Sequence, residues 1–136
     1  MSLGQSLVKK AGRHYVHFRL AQLGWDAKEL PRREGGNLVA TREGSREVSF
    51  RVNSLSGRNA AGQGTDVDDV VANYVIVCRF VERLQPECFI LTGEEVRKLV
   101  ECNTGQKQNC WLQIKDYESP DHSEQWGKLR PIPAGI

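Results

Sequence analysis

Two small groups of side chains have the residue types and spacing for metal chemistry. His14 and His17 lie three positions apart in a segment with helical periodicity, so they share one helix face and would supply half of a metal site. Asp66, Asp68 and Asp69 follow a glycine-rich stretch with the Asp-x-Asp spacing of a calcium loop. The glycine and the distal glutamate of such a loop do not follow. We therefore interpret the histidines as surface or partly buried residues and the aspartates as the acidic start of a helix.

No local pattern in the chain supports a nucleophilic catalyst. His122 lies in a polar, acidic loop, and a pair with a cysteine would require only spatial proximity, but no signature accompanies it. The chain has no Gly-x-Ser-x-Gly sequence, no phosphate-binding loop and no dinucleotide-binding motif. The main hydrolase and nucleotide-dependent signatures are therefore missing.

The four cysteines form no Cys-x-x-Cys pair, so a zinc ribbon is not expected. Cys78 and Cys88 stand in apolar runs and are predicted to be buried. Cys102 and Cys110 flank a polar loop, where a disulfide is one option. The first residues lack the apolar segment of a secretory signal, so we expect a cytoplasmic, reducing location and four free thiols.

Composition indicates one globular domain without a membrane span. The chain has 136 residues, of which 39% are hydrophobic and 26% charged. No run of 18 apolar residues occurs, as a transmembrane helix would require. Residues 1–59 carry eleven Lys and Arg against five Asp and Glu, a net charge of +6, whereas the remainder carries −4. The basic part suits a polyanion such as nucleic acid, although a solvated surface has the same composition.

Residue periodicity predicts a mixed α/β domain. Leu7, Ala11, Tyr15 and Phe18 recur at helical spacing, which predicts a helix over 6–23 ended by Gly24. Its predicted apolar stripe is widened by Val16, Leu20 and Leu23. An extended piece over 25–30, a turn at Pro31 and a loop over 32–36 follow. The remaining predicted elements are strands at 37–41, 47–54, 74–80, 88–91 and 111–114, a flexible loop at 55–65, a helix from 92 to 101, and a short helix at 123–129.

This element order predicts a single central mixed sheet flanked by helices. The whole chain, 1–136, is expected to form one domain with its core over about 6–129 and a proline-rich tail at 130–136. The helix after residue 92 begins with a capping box, in which Thr92 caps the amide of Glu95 and Glu95 reaches back.

Three stretches carry a resemblance to a known superfamily. They are GRHYVHFRLAQLGW, then GGNLVATREGSREVSFRVNS, then NYVIVCRF followed by CFILTGEEVRKLV. In this order they resemble, over roughly residues 10–129, the restriction-endonuclease-like PD-(D/E)XK superfamily, especially its small single-domain members. In active members an Asp and a Glu hold Mg²⁺, which polarises the phosphate, and a Lys stabilises the nucleophile or the developing charge.

The positions that match the superfamily's active site carry other side chains here. Its helix Glu falls on Arg13 and its strand Asp on Asn37, while its Glu-x-Lys pair falls on Arg51 and Asn53. Arg51 and Asn53 are two apart on a strand, so they face the same way. Two cations would stand where a dication binds, at a Coulomb cost of several kcal/mol at intermediate dielectric.

The resemblance and these substitutions together predict a catalytically inactive nuclease-like protein without a cofactor. Its altered site would bind DNA, RNA or another anion. The predicted binding residues are Arg13, Asn37, Arg51 and Asn53, with Arg32, Arg33 and Arg58 as further candidates.

Two alternatives stay open at this point. One is an active Mg²⁺-dependent endonuclease whose acids have moved to Asp66, Asp68 and Asp69. The other is a protein-interaction or assembly module, which tryptophans exposed on one face (Trp25, Trp111 or Trp126) would favour. A homodimer is a general expectation because symmetric pairs are the commonest oligomers.

Overall fold

The fold is built on a five-stranded mixed sheet in the computed structural model, which describes residues 3–33, 36–64, 70–102 and 109–133. Its strands are β1 (Asp26–Arg33), β2 (Gly36–Thr41), β3 (Val48–Leu55), β5 (Tyr74–Arg79) and β6 (Glu87–Thr92). They lie in the order β1-β2-β3-β5-β6, with β3 and β5 parallel and the other neighbours antiparallel. The predicted α/β class with one central mixed sheet is confirmed.

Three helices and a second, smaller sheet complete the described structure. The helices are α1 (Gln5–Gln22), α2 (Gly93–Leu99) and α3 (Ile114–Tyr117), and a 3-10 turn spans Trp126–Lys128. The small sheet consists of β4 (Ala61–Gly62), β8 (Cys110–Leu112) and β7 (Glu101–Cys102), antiparallel in the order β4-β8-β7. No helix in the described ranges is long and apolar enough to cross a membrane.

Strand β5 lies between two hydrophobic cores and contributes side chains to both. All six of its residues are buried, and their side chains alternate between the two faces of the sheet. Ile76 and Cys78 belong to the core that α1 covers. Val75 and Val77 belong to the second core, which includes Val96 of α2 and residues of β8 and α3. This two-sided burial explains the continuous apolar run in the sequence.

The buried face of α1 contains most of the predicted stripe but not Leu7 and Phe18. Val8, Gly12, Val16 and Leu20 are buried, whereas Leu7 is 54% exposed and Phe18 57% exposed. The reason is the close approach of α1 to β3, because a methyl group at Gly12 would overlap the side chain of Ser54. Only the face that carries this glycine lets the helix reach the sheet.

Several predicted boundaries also need correction. Pro31 lies inside β1, and Arg32 and Arg33 end that strand; their side chains lie outside the described part of the structure. The predicted loop at 55–65 contains β4, whose backbone pairs with β8. The predicted helix at 123–129 is a 3-10 turn over 126–128, although Trp126 is buried against the core as expected.

The capping box at the start of α2 is present as predicted. The amide of Glu95 donates to Thr92 Oγ1 at 3.0 Å, and the amide of Thr92 donates to Glu95 Oε1 at 2.9 Å. The proline-rich tail packs on the domain at Ile132, whose amide donates to Ser45 Oγ at 2.9 Å.

The expectation of four free thiols is wrong. Cys102 and Cys110 form a disulfide between the neighbouring strands β7 and β8, while Cys78 and Cys88 are free and buried. The two bonded cysteines are directly paired in the antiparallel register, where side chains of facing residues meet. The sequence separation of eight residues gave no sign of this register.

The disulfide predicts a specific thiol count. Denatured, unreduced protein should react with two equivalents of a thiol reagent, and reduced protein with four. Cys102→Ser together with Cys110→Ser should lower the free energy of unfolding by about 2–3 kcal/mol, the loop entropy of a short closed loop. Four reactive thiols without reductant would contradict the pairing.

Candidate functional site

All four residues predicted to form the altered site line one cleft of about 820 Å³. Arg13 enters it from α1, Asn37 from β2, and Arg51 and Asn53 from β3. The cleft is completed by residues of α1, of the segment after β3 and of the small sheet. Those that the following argument uses are Lys9, Asn59, Gly62 and Trp111.

Asn37 uses its side-chain amide to hold the backbone of β3. Its Nδ2 donates to the carbonyl of Val52 at 3.1 Å, and its Oδ1 accepts from the amide of Val52 at 2.9 Å. The paired register of β2 and β3 runs to Leu38 and Phe50, so the side chain of Asn37 continues the pairing next to the last backbone pair. Asn37 therefore shapes the cleft, and both of its hydrogen-bonding ends are engaged with the chain.

Arg51 and Asn53 are joined to the small sheet by one carbonyl group. Asn53 Nδ2 donates to the carbonyl oxygen of Gly62 at 2.9 Å, and Arg51 Nη2 donates to the same oxygen at 3.4 Å. Gln63 is fully buried, and its Nε2 donates to Asn53 Oδ1 at 2.8 Å. These bonds fix the orientation of Asn53, since both ends of its amide have partners.

The lining of the cleft is cationic. Lys9, Arg13 and Arg51 are its charged members, and no carboxylate is among the lining residues within the described ranges. Glu29 of β1 lies beside the cleft, where its Oε1 is 3.4 Å from Arg13 Nε. The electrostatic character of the site is thus opposite to that of a divalent-cation site.

Three arginines and a set of acids were also predicted as candidates. Arg58 points to Glu118 and is not among the cleft residues of the described chain. Arg32 and Arg33 have side chains outside the described part, and Asp66, Asp68 and Asp69 lie outside it altogether. The described residues contain no group of three or more His, Cys, Asp or Glu that could hold a metal.

His14 and His122 contact charged side chains outside the cleft lining. His14 is on the surface, with its Nε2 at 3.6 Å from Glu29 Oε1. His122 is buried, and its Nδ1 lies 2.7 Å from the Nζ of Lys128. Burial, followed by the nearby ammonium of Lys128, lowers the pKa of His122 below its usual range.

A network of charged side chains and Tyr117 holds the segment after β3, which forms one wall of the cleft. Glu118 accepts hydrogen bonds from Arg58 at 2.7 Å and from Arg79 at 2.5 Å. Tyr117 donates its hydroxyl to the carbonyl of Asn59, a residue of the cleft wall, at 2.7 Å. The segment after β3 is therefore fastened to α3, although the sequence indicated only a flexible loop.

The contacts among these charged side chains shift the pKa values of Glu118 and Arg79. The hydrogen bonds from Arg58 and Arg79 lower the pKa of Glu118 to about 2. Burial by itself would lower the pKa of Arg79, but the hydrogen bonds to Glu118 and Glu87 outweigh this effect and raise its pKa. Glu118 is thus held ionised between two guanidinium groups.

The donor set in the cleft does not fit the Mg²⁺ that active members of the resembled superfamily use. A hard dication needs several oxygen ligands, usually including carboxylates. The matching positions present two guanidinium groups and two amides, and the carbonyl end of Asn37 already accepts the amide of Val52. These four residues would therefore not hold Mg²⁺.

Comparison with known proteins supports the architecture. No family model matches the chain, and no curated protein sequence matches it. A solved structure of Hjc, a Holliday junction resolvase from Archaeoglobus fulgidus, is similar with a TM-score of 0.56 and 13% sequence identity. The similarity covers 80% of this chain and 86% of that chain. Hjc has the restriction-endonuclease-like fold.

The double hydrogen bond of Asn37 predicts the effect of restoring an acid there. Asn37→Asp should lower the free energy of unfolding by about 1–3 kcal/mol, because the carbonyl of Val52 loses its donor and faces a second oxygen. Urea denaturation measures this change. Asn59→Asp, the same substitution at an exposed residue of the same cleft, is the control and should have a much smaller effect.

The lowered pKa of Glu118 predicts a pH dependence of stability. A carboxyl whose pKa is lower in the folded state stabilises the fold above its ordinary value of 4.5, and this contribution is lost as the pH falls toward about 2. Between these values the urea midpoint should fall more steeply for the wild type than for Glu118→Gln. Glu94→Gln, at an exposed residue of α2, should retain the wild-type slope. Equal slopes for the wild type and Glu118→Gln would contradict the assignment.

Proposed function

We propose that this chain, which has the restriction-endonuclease-like fold, binds nucleic acid in the cationic cleft without cleaving it there. The observation that carries the proposal is the charge of the cleft, whose described lining holds Lys9, Arg13 and Arg51 and no carboxylate. Glu29, which pairs with Arg13, lies beside the lining and offsets only part of this charge. Guanidinium groups favour phosphate because their planar donors match its oxygens. The net charge of +6 on residues 1–59 would attract a polyanion over a longer range.

The similarity to a solved nucleic-acid enzyme favours nucleic acid over other anions as the ligand. The similar solved protein is named a Holliday junction resolvase, so one protein with this architecture works on DNA. An isolated small anion would need only one of the three cations, whereas a phosphate backbone can contact several. The donor set of the described cleft supports a non-cleaving role, since amides and guanidinium groups do not replace metal-binding carboxylates.

Binding of labelled DNA and RNA, single- and double-stranded, tests the proposal by fluorescence anisotropy. Affinity should fall steeply between about 50 and 200 mM salt, because bound phosphates release counterions. Arg51→Gln should weaken binding roughly 10- to 100-fold, the value of one hydrogen bond to a charged group, and should reduce the salt slope. Arg46→Gln removes an exposed charge outside the cleft lining and serves as the matched control.

Two outcomes would overturn this function. Hydrolysis of any of the ligands with Mg²⁺ or Mn²⁺ that persists after repurification would favour the rearranged active nuclease, and loss of that activity in Asp66→Ala or Asp69→Ala would identify its acids. Absence of binding at low salt to all four ligands would favour the protein-interaction module instead.

A further inference from the structure

Trp111 is the one tryptophan of the three in this chain that is accessible to solvent. It is 40% exposed, whereas Trp25 is 2% and Trp126 6% exposed. Its ring borders the cationic cleft, which it shares with Arg51 and Lys9. An aromatic ring left in contact with water beside fixed cations is the pairing that single-strand nucleic-acid binders use for bases and phosphates.

The backbone around Trp111 is fixed on both sides. Trp111 is the central residue of β8 and pairs with Gly62 of β4 and with Glu101 of β7. The preceding residue, Cys110, is buried and bonded to Cys102, and the following residue, Leu112, is fully buried in the second core. The indole therefore stands on a rigid support, which limits the entropy lost when a ligand packs on it.

Gly62 links the indole to the cationic part of the site. A Cβ at Gly62 would lie 3.5 Å from the Cζ3 atom of Trp111, so the ring passes over this residue at contact distance. The carbonyl oxygen of the same residue accepts from Asn53 and Arg51. The ring and the guanidinium group are thus positioned by one residue of β4.

We propose that Trp111 is the platform on which an unpaired nucleobase stacks, so that the ligand of the cleft is single-stranded nucleic acid. This inference rests on the proposed function. In a duplex both faces of each base are covered by neighbouring bases, whereas an unpaired base offers a free face to an aromatic ring. The volume of about 820 Å³ lies within the range of pockets that enclose small ligands, which suits a few nucleotides of one strand.

Intrinsic tryptophan fluorescence tests the stacking directly, because the two other tryptophans are buried. The probe is an oligothymidylate of about 12 nucleotides, within the site sizes of single-strand binders, and the comparison ligand is a duplex of equal length. The single strand should quench the emission and protect it from acrylamide, whereas the duplex should do neither. Its affinity should exceed that of the duplex by roughly 5- to 150-fold, the contribution of one stacked base.

Two substitutions separate stacking from simple contact. Trp111→Ala should weaken single-strand binding by roughly 5- to 150-fold and leave duplex binding unchanged. Trp111→Phe keeps a flat ring, so it should retain most of the affinity while losing the quenching signal. If Trp111→Ala proves unfolded by circular dichroism, the acrylamide protection of the wild type and the Trp111→Phe result still decide the question.

The outcomes distinguish this inference from the proposed function. Equal binding of single strand and duplex, with no effect of Trp111→Ala but a loss in Arg51→Gln, would overturn the stacking role and leave the nucleic-acid function intact. If thymidine 5′-monophosphate bound as tightly as the oligonucleotide, the proposal of a single-stranded ligand would be wrong and the cleft would be a nucleotide site. No binding of any of these ligands would overturn both proposals.

Discussion

The carbonyl oxygen of Gly62 links the small sheet to the central sheet through side-chain hydrogen bonds. It accepts hydrogen bonds from Asn53 and Arg51 of the central sheet, at 2.9 and 3.4 Å. Because β4 is only two residues long, these side-chain bonds, its pairing with β8 and the burial of Ala61 and Leu112 in the second core together position the small sheet. The positions of Arg51 and of the exposed indole of Trp111 in the cleft depend on this contact.

The four side chains that the resemblance aligns with the superfamily's active site line one cleft, where they present guanidinium groups and amides. Side chains two apart on β3 still point the same way, as they must in any strand that presents a Glu-x-Lys pair. The resemblance places Arg51 and Asn53 at that pair, and both side chains donate to one backbone carbonyl in a cleft lined by cations. The ion pairs among Arg58, Glu118 and Arg79 keep the wall of this cleft in place from the opposite side.

Sequence patterns predicted the parts of the fold that local chemistry determines. The buried run of β5 and the Thr92 capping box were recognisable because burial on both faces and capping leave characteristic residues. Leu7 and Phe18 were wrongly assigned to the buried face of α1 because the contact between Gly12 and Ser54 joins residues 42 positions apart, and helical periodicity does not predict it. The short strand β4 and the Cys102–Cys110 disulfide depend in the same way on pairing with β8.

The candidate site was predictable in its members and not in their roles. The alignment of motifs brought Arg13, Asn37, Arg51 and Asn53 to one cleft, but only the structure shows that Asn37 is engaged with Val52 and Asn53 with Gly62 and Gln63. Gln63 and Gly62 escaped notice because they lie in a glycine-rich stretch that indicates only a loop.

The most direct test of the central claim is to locate the bound nucleic acid on the protein. In a ¹⁵N-labelled sample titrated with a single-stranded oligonucleotide, the account predicts that NMR shifts concentrate on the side-chain signals of Arg13, Arg51, Asn53 and the indole of Trp111. The buried indole signals of Trp25 and Trp126 should stay in place. Shifts that cluster away from the cleft, with these side chains unmoved at saturation, would contradict the account.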